Sequence, residues 1–271
     1  MYVDANLRGV KMEEALRTVD DVIGTSIDVV TWENAIDRIY RWAERRDSKV
    51  VCICNVHSVV TARSDLEFSA VLEAADMATP DGAPLAWMLR HLGHKNQERI
   101  NGPDLMWRYC AEATETSPSI YLYGASESTL IQLESVLRRT FPRLRIAGSY
   151  SPPYRQLTIV EDAAIVQRIN QSGAGIVWVS LGCPKQEKWM DDHRNRVQAV
   201  MVGVGAAFDY HAGTVRRAPK FMQKRGLEWL FRLMSEPTRL WKRYFFTNSL
   251  FIVHVVRQLV AGDSRAMKSR S

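Results

Sequence analysis

Cysteine is scarce in this chain: Cys52, Cys54, Cys110 and Cys183 are the only four among 271 residues. None forms a paired C-x-x-C zinc spacing, and four scattered thiols make no disulfide scaffold, so a reducing compartment is the simplest home. The first residues, MYVDANLRGVKMEEALRTVDD, carry charge throughout and lack an apolar block, so no secretory signal is expected. No uncharged apolar run reaches the ~18 residues of a membrane span. The longest candidate, Tyr244 to Val256, is short and contains Thr247, Asn248, Ser249 and His254. Also missing are an Asp-x-Asp after a strand, H-E-x-x-H, G-x-S-x-G and the protein-kinase set. A metal clamp on a sugar-nucleotide diphosphate is therefore not expected; if the protein handles a diphosphate, cationic side chains and backbone N–H groups must carry the charge.

What is present is ordinary globular composition, 46% apolar and 24% charged. That suffices for one full-sized core with a tail, since single cores stop growing at about 250 to 300 residues. Charge divides the chain. Residues 1–215 hold 23 Lys and Arg against 27 Asp and Glu, a net of −4, whereas residues 216–271 hold 13 against 3, a net of +10. A basic tail on an acidic body calls for an anionic partner, either membrane lipid or nucleic acid. From Pro219 the pattern turns helical, with Leu227, Leu230, Phe231 and Met234 on one stripe and Pro237 expected to break or kink the helix beyond it. A second stripe, Leu240, Trp241, Tyr244, Phe245, Phe251, Ile252 and Val255, fills one half of the helix wheel, with Arg239, Lys242 and Arg243 on the other. This layout suits a helix lying in a membrane interface better than a groove tracking phosphates, although an exposed stripe equally suits a homo-oligomer contact.

The body alternates strand-like and helix-like segments. Lys49–Cys54, Ser119–Tyr123, Arg143–Ala147, Gly175–Leu181 and Ala199–Val204 are short, β-branched or aromatic, and nearly all apolar, as strands buried on both faces require. Between them, Ser64-Asp-Leu-Glu67 and Thr158-Ile-Val-Glu161 fit the capping box that opens a helix. The expected fold is α/β, a Rossmann-like, largely parallel sheet flanked by helices, with a basic amphipathic helical appendage. The expected divisions are an extension over 1–22, a core over 23–218 and the appendage over 219–271. Ligands of such sheets bind beyond the carboxyl ends of the strands.

Several constellations lie where those ends should be. In Thr79-Pro-Asp-Gly-Ala-Pro84, Asp81 sits on a stiff turn, as a reactive carboxylate or simply as a turn or capping residue. Asn55 follows a strand directly and either orients a ligand hydroxyl or caps a helix, and His57 reads as a structural histidine. Tyr123-Gly-Ala-Ser126 and Leu181-Gly-Cys-Pro-Lys-Gln186 each place a Gly where strand meets helix, and helix N-termini attract phosphate. Two such junctions point to a nucleotide-diphosphate site, although neither is a full dinucleotide or P-loop fingerprint. In Arg99-Ile-Asn-Gly-Pro-Asp104, Arg99 suits a diphosphate, while Asp104 either contacts a sugar or opens a helix. Asp191-Asp192-His193 resembles a metal site, but neighbours on a helix diverge by about 100° and read better as a solvated face.

Taken together, Thr79–Gly82, Arg99–Leu105, Leu181–Trp189, Gly203–Asp209, Ala212-Gly213 with Arg217-Ala-Pro219, and Gly226–Arg232 followed by Glu236-Pro237 resemble the bacterial WecG/TagA/CpsF glycosyltransferases, family 26. The likeness runs from about Ile23 to Arg243. It implies an inverting, metal-independent enzyme without cofactor, moving a sugar from a UDP-sugar to a polyprenyl-diphosphate-linked acceptor on the cytoplasmic face of the membrane. It further implies Asp81 as general base, Asn55 in the substrate pocket, Arg99 and Gln186 near the sugar and diphosphate, and Asp209 at the nucleotide. Asp104, Gly124 and Ser126 join that substrate set through the junctions above. Arg217, Arg232, Arg239, Lys242 and Arg243 match an appendage that completes the site on the membrane. Ile53 stands where relatives often have Thr, and Ser151-Pro-Pro-Tyr154 where many have Gly-Tyr-Phe, so donor and acceptor identity stay open. A nucleic-acid-binding protein and a nicotinamide-dependent oxidoreductase are the competing readings.

Overall fold

The computed structural model describes residues 17–268. A hairpin of β1 (Val19–Val22) and β2 (Thr25–Asp28) precedes α1 (Trp32–Arg45). There follow β3 (Val50–Cys54), α2 (Val56–Ser64), α3 (Leu66–Ala74), β4 (Met77–Pro80), α4 (Ala83–His91) and α5 (Gly102–Ala111). Next come β5 (Ile120–Gly124), α6 (Glu127–Thr140), β6 (Ile146–Tyr150), α7 (Ile159–Gln171), β7 (Ile176–Ser180), α8 (Lys185–Asp192), β8 (Val200–Gly203) and α9 (Ala207–Ala212). The chain closes with α10 (Lys220–Lys224), α11 (Glu228–Ser235) and α12 (Pro237–Lys268).

Six strands form one sheet in the order β4-β3-β8-β7-β5-β6, and every pairing is parallel. All six carboxyl ends therefore open on the same edge. Alternate residues of each central strand feed two cores: Cys52, Cys54, Val177, Val179 and Met201 lie in one, and Val51, Ile53, Ile176, Trp178 and Val202 in the other. Helices α1, α5, α6 and α9 cover the second face, and α2, α3, α4, α7, α8 and part of α12 the first. Continuous apolar strands follow from this double burial.

Four expectations about local structure need correction. The strand expected at Arg143–Ala147 runs over Ile146–Tyr150, half-buried along its length; as the outer strand it pairs only with β5 and has no need of an unbroken apolar run. Strand β4 was not anticipated, being four residues long and ending in Pro80, which an edge position tolerates. Helix α3 is capped by Asp65, whose side chain accepts from Phe68 N at 2.9 Å, while Ser64 ends α2. Pro237 does mark a break, since α11 ends at Ser235, but it then opens α12 rather than kinking it, as its missing N–H allows at a first turn. The Thr158–Glu161 capping box is formed as expected.

The N-terminal hairpin lies partly within the stretch expected as an extension; residues 1–16 of that stretch fall outside the described residues. Its two-residue turn holds Ile23 at φ 50° and Gly24 at φ 86°. A β-branched residue is unusual there. Gln258 of α12 braces the turn, accepting from Ile23 N and donating to Asp21 O, both at 2.7 Å. Phe251 and Val255 of the same helix are buried in the core. By length and composition, 237–261 is long and apolar enough to cross a membrane, with a mean hydropathy of 1.2. Its packing instead lays α12 along the body. The outer side carries exposed Trp241, Phe245, Phe246, Val253, Val256 and Val260.

Candidate active site

A cavity of about 1040 Å³ opens beyond the carboxyl ends of β3, β4, β7 and β8, roofed by α11 and α12. Asn55, Asp81, Arg99, Gln186 and Asp209, dispersed over some 150 positions of sequence, all line it. The parallel sheet brings them together.

Asp81 follows β4 directly, and its N–H donates to Cys54 O of the neighbouring strand at 2.7 Å, which fixes the turn. Its side chain is 24% exposed. Burial raises its carboxyl above the usual carboxylate range, and Arg99 only partly opposes this. Arg99 Nε donates to Asp81 O at 2.5 Å and reaches Oδ1 at 3.4 Å. Asn55 caps α2, accepting from His57 N at 2.9 Å and Ser58 N at 3.3 Å, yet it still faces the cavity. Asn55 thus caps the helix and lines the cavity at once.

Gln186 is buried, and its Oε1 accepts from Gly182 N at 3.2 Å and Gly205 N at 3.1 Å. It ties the loop after β7 to the loop after β8 and occupies one backbone N–H group of each. Its neighbour Glu187 is 1% exposed with Oε2 unpartnered, and burial raises that carboxyl to about 6. His57 is lowered to about 4, first by burial and then by Arg243. Arg243 lines the cavity from α12, half-buried, with Nε lacking any hydrogen-bond partner. Lys185 and Arg232 line it too, outside every ion pair among the described residues. Three cations thus remain free for an anionic ligand. Among the described residues no three His, Cys, Asp or Glu side chains converge to hold a metal ion.

Against this geometry, residues 20–265 match the glycosyl transferase WecG/TagA/CpsF family. The chain belongs to that family. It is 34% identical over 194 residues to an N-acetylglucosaminyldiphosphoundecaprenol N-acetyl-beta-D-mannosaminyltransferase of Bacillus spizizenii, covering 68% of this chain and 73% of the relative. A relative of the same description from Bacillus subtilis is 32% identical over 204 residues, covering 74% of this chain and 77% of its own length. The likeness read from the motifs is thereby borne out, and the oxidoreductase and nucleic-acid readings give way to a glycosyltransferase.

In this glycosyltransferase several expected site residues turn out to be occupied elsewhere. Asp104 does not line the cavity. It sits in the first turn of α5, held by Arg217 at 2.5 and 3.0 Å and by Asn101 Nδ2 at 2.7 Å; the helix is opened not by Asp104 but by Asn101, whose side chain accepts from Asp104 N at 2.9 Å. Gly124 lies at φ +117°, and a Cβ there would come within 2.3 Å of Ser180 O, so close approach of β7 explains it without a phosphate. Ser126 caps α6, accepting from Thr129 N at 3.2 Å; Ala125 between them is the residue that faces the cavity. Asp209 faces the cavity, with Oδ1 accepting from Thr129 and Thr214 hydroxyls at 3.4 and 3.2 Å.

The five expected membrane cations also separate. Arg217 is locked between Asp104 and Glu228 and is no free surface charge. Arg232, Arg239 and Arg243 line the cavity, Arg239 while paired with Glu236 at 2.7 Å. Only Lys242 keeps to the outer side, its Nζ 5.7 Å from the Trp241 ring. The helix wheel misplaced Arg243 because α12 has apolar residues on both sides, and the wheel cannot tell which side meets the body. Lys185, Tyr244 and Glu228 also line the cavity, although none of them was expected at the site. Lys185 stood inside the quoted Gly-Cys-Pro-Lys-Gln stretch at a strand-to-helix junction, a signal that was available; Glu228 stood inside the quoted Gly226–Arg232 stretch, but nothing local showed which residue it would meet.

Proposed function

We propose that this glycosyltransferase moves N-acetylmannosamine, its uronic acid, glucose or a similar sugar from a UDP-sugar to a polyprenyl-diphosphate-linked glycan, with inversion and without a metal. The observation that carries this reading is one cavity holding both a carboxylate of raised basicity, Asp81, and an unpaired guanidinium, Arg243, beneath a helix with an apolar outer side. The relatives act on a diphosphoundecaprenol acceptor by name, which supports the acceptor class.

In the proposed step, the acceptor hydroxyl attacks the anomeric carbon while its proton passes to a carboxylate oxygen of Asp81. The new C–O bond forms on one face as the bond to the β-phosphate oxygen breaks on the other, and UDP leaves with the electron pair. Arg243, Lys185 and Arg232 neutralise the diphosphate, a task suited to cations in a partly desolvated cavity. The apolar outer side of α12 rests on the inner leaflet, so the acceptor's headgroup meets the cavity without leaving the membrane.

The test measures UDP release from a panel of UDP-sugars with polyprenyl-diphosphate-sugar acceptors, with and without EDTA. Acceptor-dependent release unaffected by EDTA is expected. Asp81→Asn should reduce kcat by about 10² to 10⁴, the usual worth of general-base assistance, with UDP binding retained. Wild-type turnover in that variant removes Asp81 as the base, and a requirement for divalent metal removes the cation-only account of the diphosphate.

A further inference from the structure

Arg99 is shared between two carboxylates, and it favours the one further from the chemistry. Toward the Asp81 carboxylate, its Nε and Nη2 both stop 3.4 Å from Oδ1. Nη2 makes much closer contact with Glu228 Oε2. The other oxygen of Glu228 accepts from Arg217 Nε at 3.2 Å, and Arg217 is itself forked onto Asp104. Glu228 is therefore held from two sides on the first residue of α11. Among the described residues no hydrogen bond occupies Asp81 Oδ2.

A guanidinium and a carboxylate this close ordinarily shut into a bidentate pair, with both oxygens taken and proton affinity reduced. That arrangement would disable a base. The charged and titratable neighbours of Asp81 are Arg99 and Arg217, which lower its carboxyl, Glu228, which raises it after burial, and the Cys54 thiol of β3. Glu228 alone among them competes for the guanidinium that would close the pair.

We propose that Glu228 is a positioning residue for the transfer: by holding Arg99 off Asp81, it keeps that carboxylate free to accept the acceptor's proton. The proposal rests on Asp81 being the base. Glu228 lies 129 positions beyond Arg99 in the chain, so the C-terminal segment completes the base as well as roofing the cavity.

The experiment compares the full-length enzyme with Glu228→Gln and Glu228→Asp, reading kcat and KM against pH. Alongside, ¹³C NMR follows the carboxyl titration of Asp81, assigned by its loss in Asp81→Asn. Removing the negative charge lets Arg99 close on Asp81, so both the Asp81 midpoint and the acid limb of kcat should move to lower pH in Glu228→Gln. Plateau kcat should fall about tenfold, inside the range a general base supplies, with KM for the UDP-sugar little changed and partial recovery in Glu228→Asp. An unchanged Asp81 midpoint in Glu228→Gln, or a kcat loss with an unmoved acid limb, overturns the proposal. The two readings fail separately: wild-type kcat in Asp81→Asn removes the base assignment, whereas an inactive Asp81→Asn beside an unmoved midpoint removes only the role of Glu228.

Discussion

Glu187 shows how a single buried residue, beside Gln186 in the first turn of α8, sets a pH dependence. Its carboxyl is raised from 4.5 to about 6 by burial, with Oε2 unpartnered. A folded-state value above the unfolded one means full stability below about 4.5, lost as pH rises through about 6. The ionised form therefore costs about 2 kcal/mol above pH 6, at roughly 1.4 kcal/mol per pH unit of displacement. Glu187→Gln should be more stable than wild type by about that amount at pH 8 in urea unfolding, and equal to it at pH 4; a constant difference across pH would contradict the assignment. His57 works in the opposite sense, since its depressed value, about 4 against 6.5, removes stability as pH falls between those limits. Comparing variants at each pH cancels that contribution. None of this was legible in the sequence, where Glu187 is one more charged residue on a short helix.

Helix α12 has two apolar sides with different tasks. Leu240, Phe251 and Val255 are buried against the body, while Trp241, Phe245 and Phe246 are exposed by 50%, 64% and 59%. The sequence stripe merged both sides, because residues such as Leu240 and Trp241 are adjacent and their wheel angles overlap within one broad arc. Replacing Trp241 and Phe245 with Ser should abolish flotation with anionic vesicles while leaving the unfolding midpoint within about 1 kcal/mol of wild type, the usual limit for surface changes. Replacing Phe251 with Ala should instead destabilise the fold by about 3 kcal/mol. Vesicle binding retained in the Trp241 and Phe245 double variant would mean that this surface serves another partner, a second subunit being the first to test by sedimentation.

Over the whole molecule, an acidic body is joined to a basic C-terminal segment, with net charges of −4 and +10. Several of those cations are internal, Arg217 in an ion-pair chain and Arg243 in the cavity. Vesicle affinity should therefore fall with salt more gently than ten charges imply, because only the outward ones meet the surface potential. Lipid titrations at increasing ionic strength measure that slope, and a slope matching the full tail charge would place Arg217 and Arg243 outside. The sequence by itself determined the α/β class, the central strands and several of the loops that line the cavity, because strands buried on both faces must be apolar throughout and capping and turn chemistry is local. The mottled edge strand β6, the Ile23 turn and the Glu228–Arg99–Asp81 chain were decided only in the tertiary structure. Each depends on a partner far away in sequence, and no local pattern records which side of a helix, or which of two carboxylates, a distant residue will meet.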